Sequence, residues 1–214
     1  MKKVLKIIGI IVAAFVFLGI AGVVIFIANL PEKSDYAYLQ KPRIVQKPDA
    51  KAMIVNFDGD PNVVISEAFG SLYKVYYKTA GFSGFFNQTP PIGRYELFDE
   101  LLEKVEAGDL KSIDWRGYVA IPVSEETSEL PEGSGEGAYP VILGMVEYGT
   151  VAEIIHFGSY ESEKPTIEKL KAFIENSGYR ISGLHEEEYI IGPGLPFFDP
   201  EDYITIIRYQ VRAF

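Results

Sequence analysis

What most restricts the fold of this chain is an order of elements that its sequence states twice. Residues 52–57 (Ala-Met-Ile-Val-Asn-Phe) are a short apolar run with strand character. Asp60-Pro61 follows, a good N-cap ahead of a proline at the first helical position, where the missing N–H costs nothing. Ile65, Phe69, Leu72, Tyr73 and Tyr76 then recur at helical spacing, predicting a helix to about Lys78. Gly81, Gly84, Pro90 and Pro91 predict a long connection carrying Phe82, Phe85 and Phe86. Ile92 to Asp99 is expected as a second strand, with helix a competitor over Tyr95 to Ala107, and Trp115 to Val123 as a third strand. After the acidic, Gly-rich stretch Ser124 to Tyr139 the order returns. Thr150 to His156 predicts a strand, Gly158-Ser159-Tyr160 a turn, and Tyr160 through Ile167, Leu170, Phe173 and Ile174 a helix. Asn176-Ser177-Gly178 stops that helix, and Glu187 to Ile191 and Tyr203 to Val211 supply two more strands. Each half is therefore β-α-β-β. The expected fold is α+β: a duplicated βαββ with pseudo-two-fold symmetry, one antiparallel sheet carrying two helices on one face.

The N-terminus predicts something else. Ile7 to Ala28 contains no charged side chain. A helix of that length would span a hydrocarbon core of about 30 Å, whereas a signal-peptide apolar region runs to only about 7–15 residues. Residues 1–29 are thus expected to be a transmembrane helix acting as a signal anchor, with the lipid bilayer as partner through residues 7–28. Lys2, Lys3 and Lys6 precede the run, so the positive-inside rule places the folded part on the extracytoplasmic side of a single-pass membrane protein. Residues 30–49, with Pro31, Pro42 and Pro48, are expected as an extended linker, and 50–214 as the domain.

Composition narrows the chemistry. The formal net charge is −10, which argues against nucleic acid as a partner. The chain has no cysteine, hence no disulfide and no thiol chemistry. It carries no HExxH, no GxSxG elbow and no phosphate-cradling loop, so neither a metal nor a cofactor is expected. Of the two histidines, His156 at a strand end is expected to be structural, and His185, beside three glutamates, a surface residue. Fourteen Tyr, fourteen Phe and one Trp make the chain aromatic-rich; most of those rings are expected in the core, and the number leaves room for an aromatic-lined cavity. Within Glu186-Glu187-Glu188-Tyr189, strand alternation puts Glu187 and Tyr189 on one face and Glu186 and Glu188 on the other. Two readings stay open on these residues alone. One is a solvated acidic strand edge; in the other, Glu187 faces an aromatic cavity where a cation or a proton relieves its buried charge.

A resemblance bears on that choice. Residues 151–160 (Val-Ala-Glu-Ile-Ile-His-Phe-Gly-Ser-Tyr), an amphipathic helix, 185–189 (His-Glu-Glu-Glu-Tyr) and 199–207 (Asp-Pro-Glu-Asp-Tyr-Ile-Thr-Ile-Ile) follow one another in an order that resembles the GyrI-like small-molecule-binding superfamily. That superfamily includes effector-binding domains of SOUL and AraC-effector type. The first half fits more loosely, through 69–73 (Phe-Gly-Ser-Leu-Tyr), 92–95 (Ile-Gly-Arg-Tyr) and 115–123. Gly-Ser-Tyr stands where the family usually has Gly-Pro-Tyr, and Gln210 where a proline often precedes the final valine. The resemblance implies an aromatic cleft between the two βαββ units, with Glu187 as its polar anchor and Tyr189 beside it. Tyr160, Trp115, Tyr118 and Tyr95 are implied as cleft wall. The expected function is binding of a small hydrophobic molecule, cationic ones included. Two other classes stay in play: a hydrolase of strained or electrophilic small molecules using Glu187 as general acid or base, and a membrane-tethered interaction module using the acidic Glu125 to Glu136 loop.

Overall fold

The computed structural model describes residues 30–86 (backbone only over 81–86), 89–96, 114–193 and 198–214. The chain divides after Glu32, and the architecture below is that of Lys33–Phe214. In chain order the strands are β1 (Arg43–Lys47), β2 (Ala50–Gly59), β3 (Ile92–Tyr95), β4 (Trp115–Pro122), β5 (Ile142–Val146), β6 (Gly149–Phe157), β7 (Tyr179–Ile191) and β8 (Ile204–Ala213). Helix α1 is Pro61–Phe86 and α2 is Lys164–Asn176. Short 3-10 turns cover Lys33–Leu39, Tyr160–Ser162 and Pro200–Asp202. The strands make one sheet in the order β1-β6-β8-β7-β3-β4-β2-β5, and each neighbouring pair is antiparallel. The runs β2-α1-β3-β4 and β6-α2-β7-β8 follow the expected strand-helix-strand-strand order, with β1 and β5 added at the two edges of the sheet. The halves join where β3 pairs with β7, Gly93 opposite Glu187.

Alternation along the strands gives the sheet two different faces. Both helices cover the first. Val64, Ala68, Leu72, Val75 and Tyr76 of α1, and Ile167, Leu170 and Ile174 of α2, recur every three or four residues and bury against Met53, Val55, Ile121, Ile154 and Ile207. Each such fully buried aliphatic side chain contributes about 1.5–3 kcal/mol. Asp60 starts α1 as expected: its carboxylate accepts the Asn62 backbone N–H at 3.0 Å. Gly178, at φ +78°, follows the end of α2 in a left-handed conformation that favours glycine. The second face carries Ile54, Ile92, Val151, Ile155, Ile190 and Ile206, with Leu39 of the first 3-10 turn packed onto it.

Several expectations are corrected here. Residues 30–49 are not simply an extended linker, because β1 pairs with β6 from Arg43↔Glu153 to Lys47↔Gly149. Helix α1 runs to Phe86 instead of Lys78, through Gly81 and Gly84. A glycine weakens a helix by about 1 kcal/mol without breaking it. β7 begins at Tyr179, eight residues before the expected strand, and β5 lies where no strand is expected. The single-pass, extracytoplasmic membrane placement is also corrected. No helix among the described residues is long and apolar enough to cross a membrane. The longest, α1, carries Glu67, Lys74 and Lys78. The expected span at residues 7–28 lies outside the described residues.

Candidate functional site

The helix-covered face holds a buried polar centre on β7. Alternation turns His185, Glu187 and Tyr189 towards the helices, and the two ionisable groups His185 and Glu187 are only 2% and 6% exposed. The Glu187 carboxylate accepts the His185 Nε2 hydrogen at 2.9 Å and the Tyr189 hydroxyl at 2.7 Å. Tyr189 has then spent its one proton on Glu187, so the short Tyr95–Tyr189 hydroxyl contact makes Tyr95 the donor. A relay Tyr95→Tyr189→Glu187 results. Tyr95 reaches across because Gly93, two residues back on the same face, has no Cβ, and one built there would collide with the Tyr95 hydroxyl. Burial by itself would raise the Glu187 pKa, but the His185, Tyr189 and Glu163 hydrogen bonds hold it below the ordinary carboxylate value. Burial and the nearby Glu187 charge raise Tyr95, Tyr189 and Tyr160, keeping those phenols protonated.

Aromatic rings close over this centre. Phe69 of α1 meets the edge of Tyr189 at 5.8 Å, Tyr160 meets it at 5.8 Å from the other side, and Trp115 sits edge-on to Tyr95 at 5.6 Å. Tyr73, next along α1, stacks on Phe69, and burial with the charge of Tyr77 raises its pKa to about 12. The His185 ring lies between Tyr95 and Tyr209, 6.3 and 5.1 Å from their centroids.

A second carboxyl belongs to the same centre. Glu163 occupies the N-cap position of α2 yet makes no capping hydrogen bond. Its side chain turns inward, 3% exposed, to within hydrogen-bonding range of Glu187. Its Oε1 has no hydrogen-bond partner of normal geometry among the described residues, and neither does the fully buried hydroxyl of Thr205 on β8 beside it. Burial, and then the charge of Glu187, push the Glu163 pKa far above the ordinary carboxylate range. His156 on β6 is structural, as expected: its ring bonds Thr166 Oγ1 at 3.0 Å and the Ser159 carbonyl at 3.1 Å, and burial lowers its pKa.

The opposite face of the same strands holds an ion network. Glu186 takes Arg94 Nε at 2.6 Å and Arg208 Nη1 at 3.0 Å. Glu153 takes Arg208 Nε at 2.7 Å and Arg43 Nε at 2.8 Å, and Glu188 pairs with Arg208. A cavity of about 660 Å³ opens here, lined by Tyr36, Arg43, Lys47, Glu188, Ile190 and Arg208 among others. Its arginines and glutamates are already partnered, and Lys47 lies over the Tyr148 ring at 4.6 Å.

The structure therefore gathers Glu187, Tyr189, Tyr95, Tyr160 and Trp115 on one face. Tyr118 is not with them. It packs on the other face, 5.8 Å from the Arg94 guanidinium. His185, expected at the surface, is buried within the site. Glu163 is the functional candidate that sequence reasoning missed. A glutamate at the start of a helix ordinarily signals a solvated acid complementing the helix dipole, and nothing local marks this one as buried.

An antiparallel sheet roofed by two helices, with a buried carboxylate and aromatic rings between the layers, defines a ligand-binding type of α+β domain. The chain belongs to the GyrI-like family: the GyrI-like small molecule binding domain matches residues 40–211. Among solved structures it resembles an uncharacterized conserved protein from Listeria innocua, with 22% identity and a TM-score of 0.65 over 85% of this chain and 97% of that one. A hydrolase from Listeria innocua matches with 22% identity and a TM-score of 0.59, covering 85% and 96% of the two chains. The C-terminal domain of EcmrR matches with 17% identity and a TM-score of 0.55, covering 81% and 98%. No curated protein matches the sequence.

Proposed function

We infer that the domain binds a small, largely hydrophobic molecule, preferentially a cation, between the two β-α-β-β units, which a pseudo-two-fold axis relates. Glu187 is its polar anchor, and Tyr189, Tyr160, Trp115 and Tyr95 are its walls. The observation that carries this reading is a buried Glu187 carboxylate that accepts hydrogen bonds from a histidine and a tyrosine, with the Glu163 carboxyl beside it and aromatic rings around it. No arginine or lysine among the described residues pairs with it. A negative charge in that setting favours a desolvated organic cation, through Coulomb attraction and through the π faces of the rings. Phe69 and Tyr160 pack against Tyr189, the hydrogen-bond partner of Glu187, and Tyr73 stacks on Phe69, so on this reading a ligand enters by turning those rings aside.

The test is a thermal-shift screen of the full chain and of Glu187→Gln against tetraphenylphosphonium, neutral aromatics and electrophilic natural products. A compound at 100 times its dissociation constant stabilises by about 2.7 kcal/mol. Stabilisation by cations that disappears in Glu187→Gln supports the reading. Equal stabilisation of both proteins, or of neither, refutes it.

One observation favours a second reading, hydrolysis of strained or electrophilic molecules. Two buried carboxyls lie side by side, Glu187 held below the ordinary carboxylate range and Glu163 held above it, and on this reading they act as base and acid within one site. On that reading Glu187→Gln binds such a compound without converting it.

A further inference from the structure

The two buried carboxyls of the site imply a particular way of accepting charge. We propose that Glu163 and Glu187 hold a single proton between them, and that an organic cation entering the site replaces it, so that binding is a proton-for-cation exchange. This rests on the binding reading above and adds a second acid, with a defined stoichiometry, to it.

The argument begins with geometry. A carboxylate only accepts hydrogen bonds, so two carboxyls this close can bond to each other only if one of them carries a proton. Glu187 already accepts from His185 and Tyr189, which makes it the anion and Glu163 the acid that donates to it. Glu163 holds the N-cap position of α2 without capping it and turns its carboxyl inward, where Oε1 and the neighbouring Thr205 hydroxyl are both buried and lack a hydrogen bond of normal geometry among the described residues. A buried polar group left in that condition ordinarily costs about 1–3 kcal/mol, and a site built to receive something polar is one place where it persists.

The surrounding groups set the charge. β7 contributes His185 and Tyr189, β3 Tyr95, β6 His156, the 3-10 turn Tyr160, and α1 Tyr73 behind Tyr160. Four of the six are phenols held in the neutral form, and no arginine or lysine is among them. The proton on Glu163 is therefore what keeps the pair at one negative charge instead of two. A cation placed against both carboxyls supplies the same compensation: Glu163 loses its proton to solvent, the O–H bond breaks heterolytically, and the electron pair stays on the carboxylate facing the ligand. A neutral ligand offers no such compensation and leaves the proton in place.

The experiment is calorimetric titration of the full chain with tetraphenylphosphonium in phosphate and in Tris, whose ionisation enthalpies differ, with triphenylphosphine oxide as a neutral counterpart. Wild type is expected to release about one proton per cation bound, and its affinity for the cation to climb about tenfold per pH unit between about pH 5.5 and 7.5. Glu163→Gln is expected to bind the cation with no proton release and a flat pH profile. Difference infrared spectroscopy reads the same event without a variant: a protonated-carboxyl C=O stretch present at neutral pH should disappear when the cation saturates. Cation binding by wild type with no proton release and no loss of that band overturns the exchange and leaves the binding reading standing. If tetraphenylphosphonium fails to bind wild type at any pH, the binding reading fails and the exchange with it.

Discussion

Along β7 the consecutive glutamates Glu186, Glu187 and Glu188 lie in one strand but in two electrical environments. Glu186 and Glu188 face a layer where Arg43, Arg94 and Arg208 meet Glu153, Glu186 and Glu188, three positive groups for three negative ones. Glu187 faces the helices, where its neighbours are hydroxyls, an imidazole and a second carboxyl. Strand alternation produces that separation from a single acidic run. The difference shows which face is finished and which is not. The arginine layer is closed chemistry, satisfied within the fold, whereas the helix-covered centre holds the Glu187 acid with no arginine or lysine paired to it among the described residues. Burial is common to both faces, so what separates them is how far each buried charge is compensated.

The sharpest way to break the comparison is to unbalance the balanced face. Arg208→Leu removes the cation shared by Glu153, Glu186 and Glu188, whose side chains are 5%, 3% and 20% exposed. Losing one partner of a buried ion pair is expected to destabilise by about 3–5 kcal/mol, read by urea denaturation.

The same comparison can be run in reverse on the other face with Glu163→Gln, which is expected to stabilise the protein above acidic pH. The sign follows from the raised pKa: the folded state favours the protonated acid, so this stabilisation is complete below the unfolded-state pKa and is lost as pH rises through the folded one. Glutamine needs no proton. Its advantage over wild type should widen by about 1.4 kcal/mol per pH unit from about pH 5 upward, measured as the difference in denaturation free energy. A gap that is constant with pH would place Glu163 outside the proton-holding centre.

Tyr189→Phe takes one donor from Glu187 and is expected to cost about 1.5–3 kcal/mol, the range for hydrogen bonds to charged groups. Because that hydroxyl helps hold the Glu187 pKa down, the variant should also lose stability at a higher pH than wild type on acidification. The smallest effect is expected from Tyr118→Leu. Its ring is on the arginine face, so tetraphenylphosphonium affinity should be unchanged within error in the same calorimeter.

Much of this was legible in the sequence where the signal is local. The split of Glu187 and Tyr189 from Glu186 and Glu188 needs only the two-residue period of a strand. The same period rules Tyr118 out as a companion of Trp115, three residues away on one strand. What was hidden depends on distant partners. His185 looks exposed beside three glutamates until Arg94 and Arg208, from β3 and β8, neutralise two of them. Glu163 looks like an ordinary helix-start acid until β7 packs beneath it. β1 and β5 are five-residue strands at the two edges of the sheet, too short and too half-buried to show alternation. The membrane placement came from the N-terminal run alone and is not upheld by the described helices.

The pairing of β1 with β6 has a practical meaning. Arg43–Lys47 is the outer neighbour of Gly149–Phe157 and brings Arg43 to Glu153. A chain trimmed to begin at Ala50 would not merely lose a tail. It would bare the amides and carbonyls of a nine-residue strand that is buried along most of its length, and such an edge is a template on which another copy can lay its own strand and start a polymer.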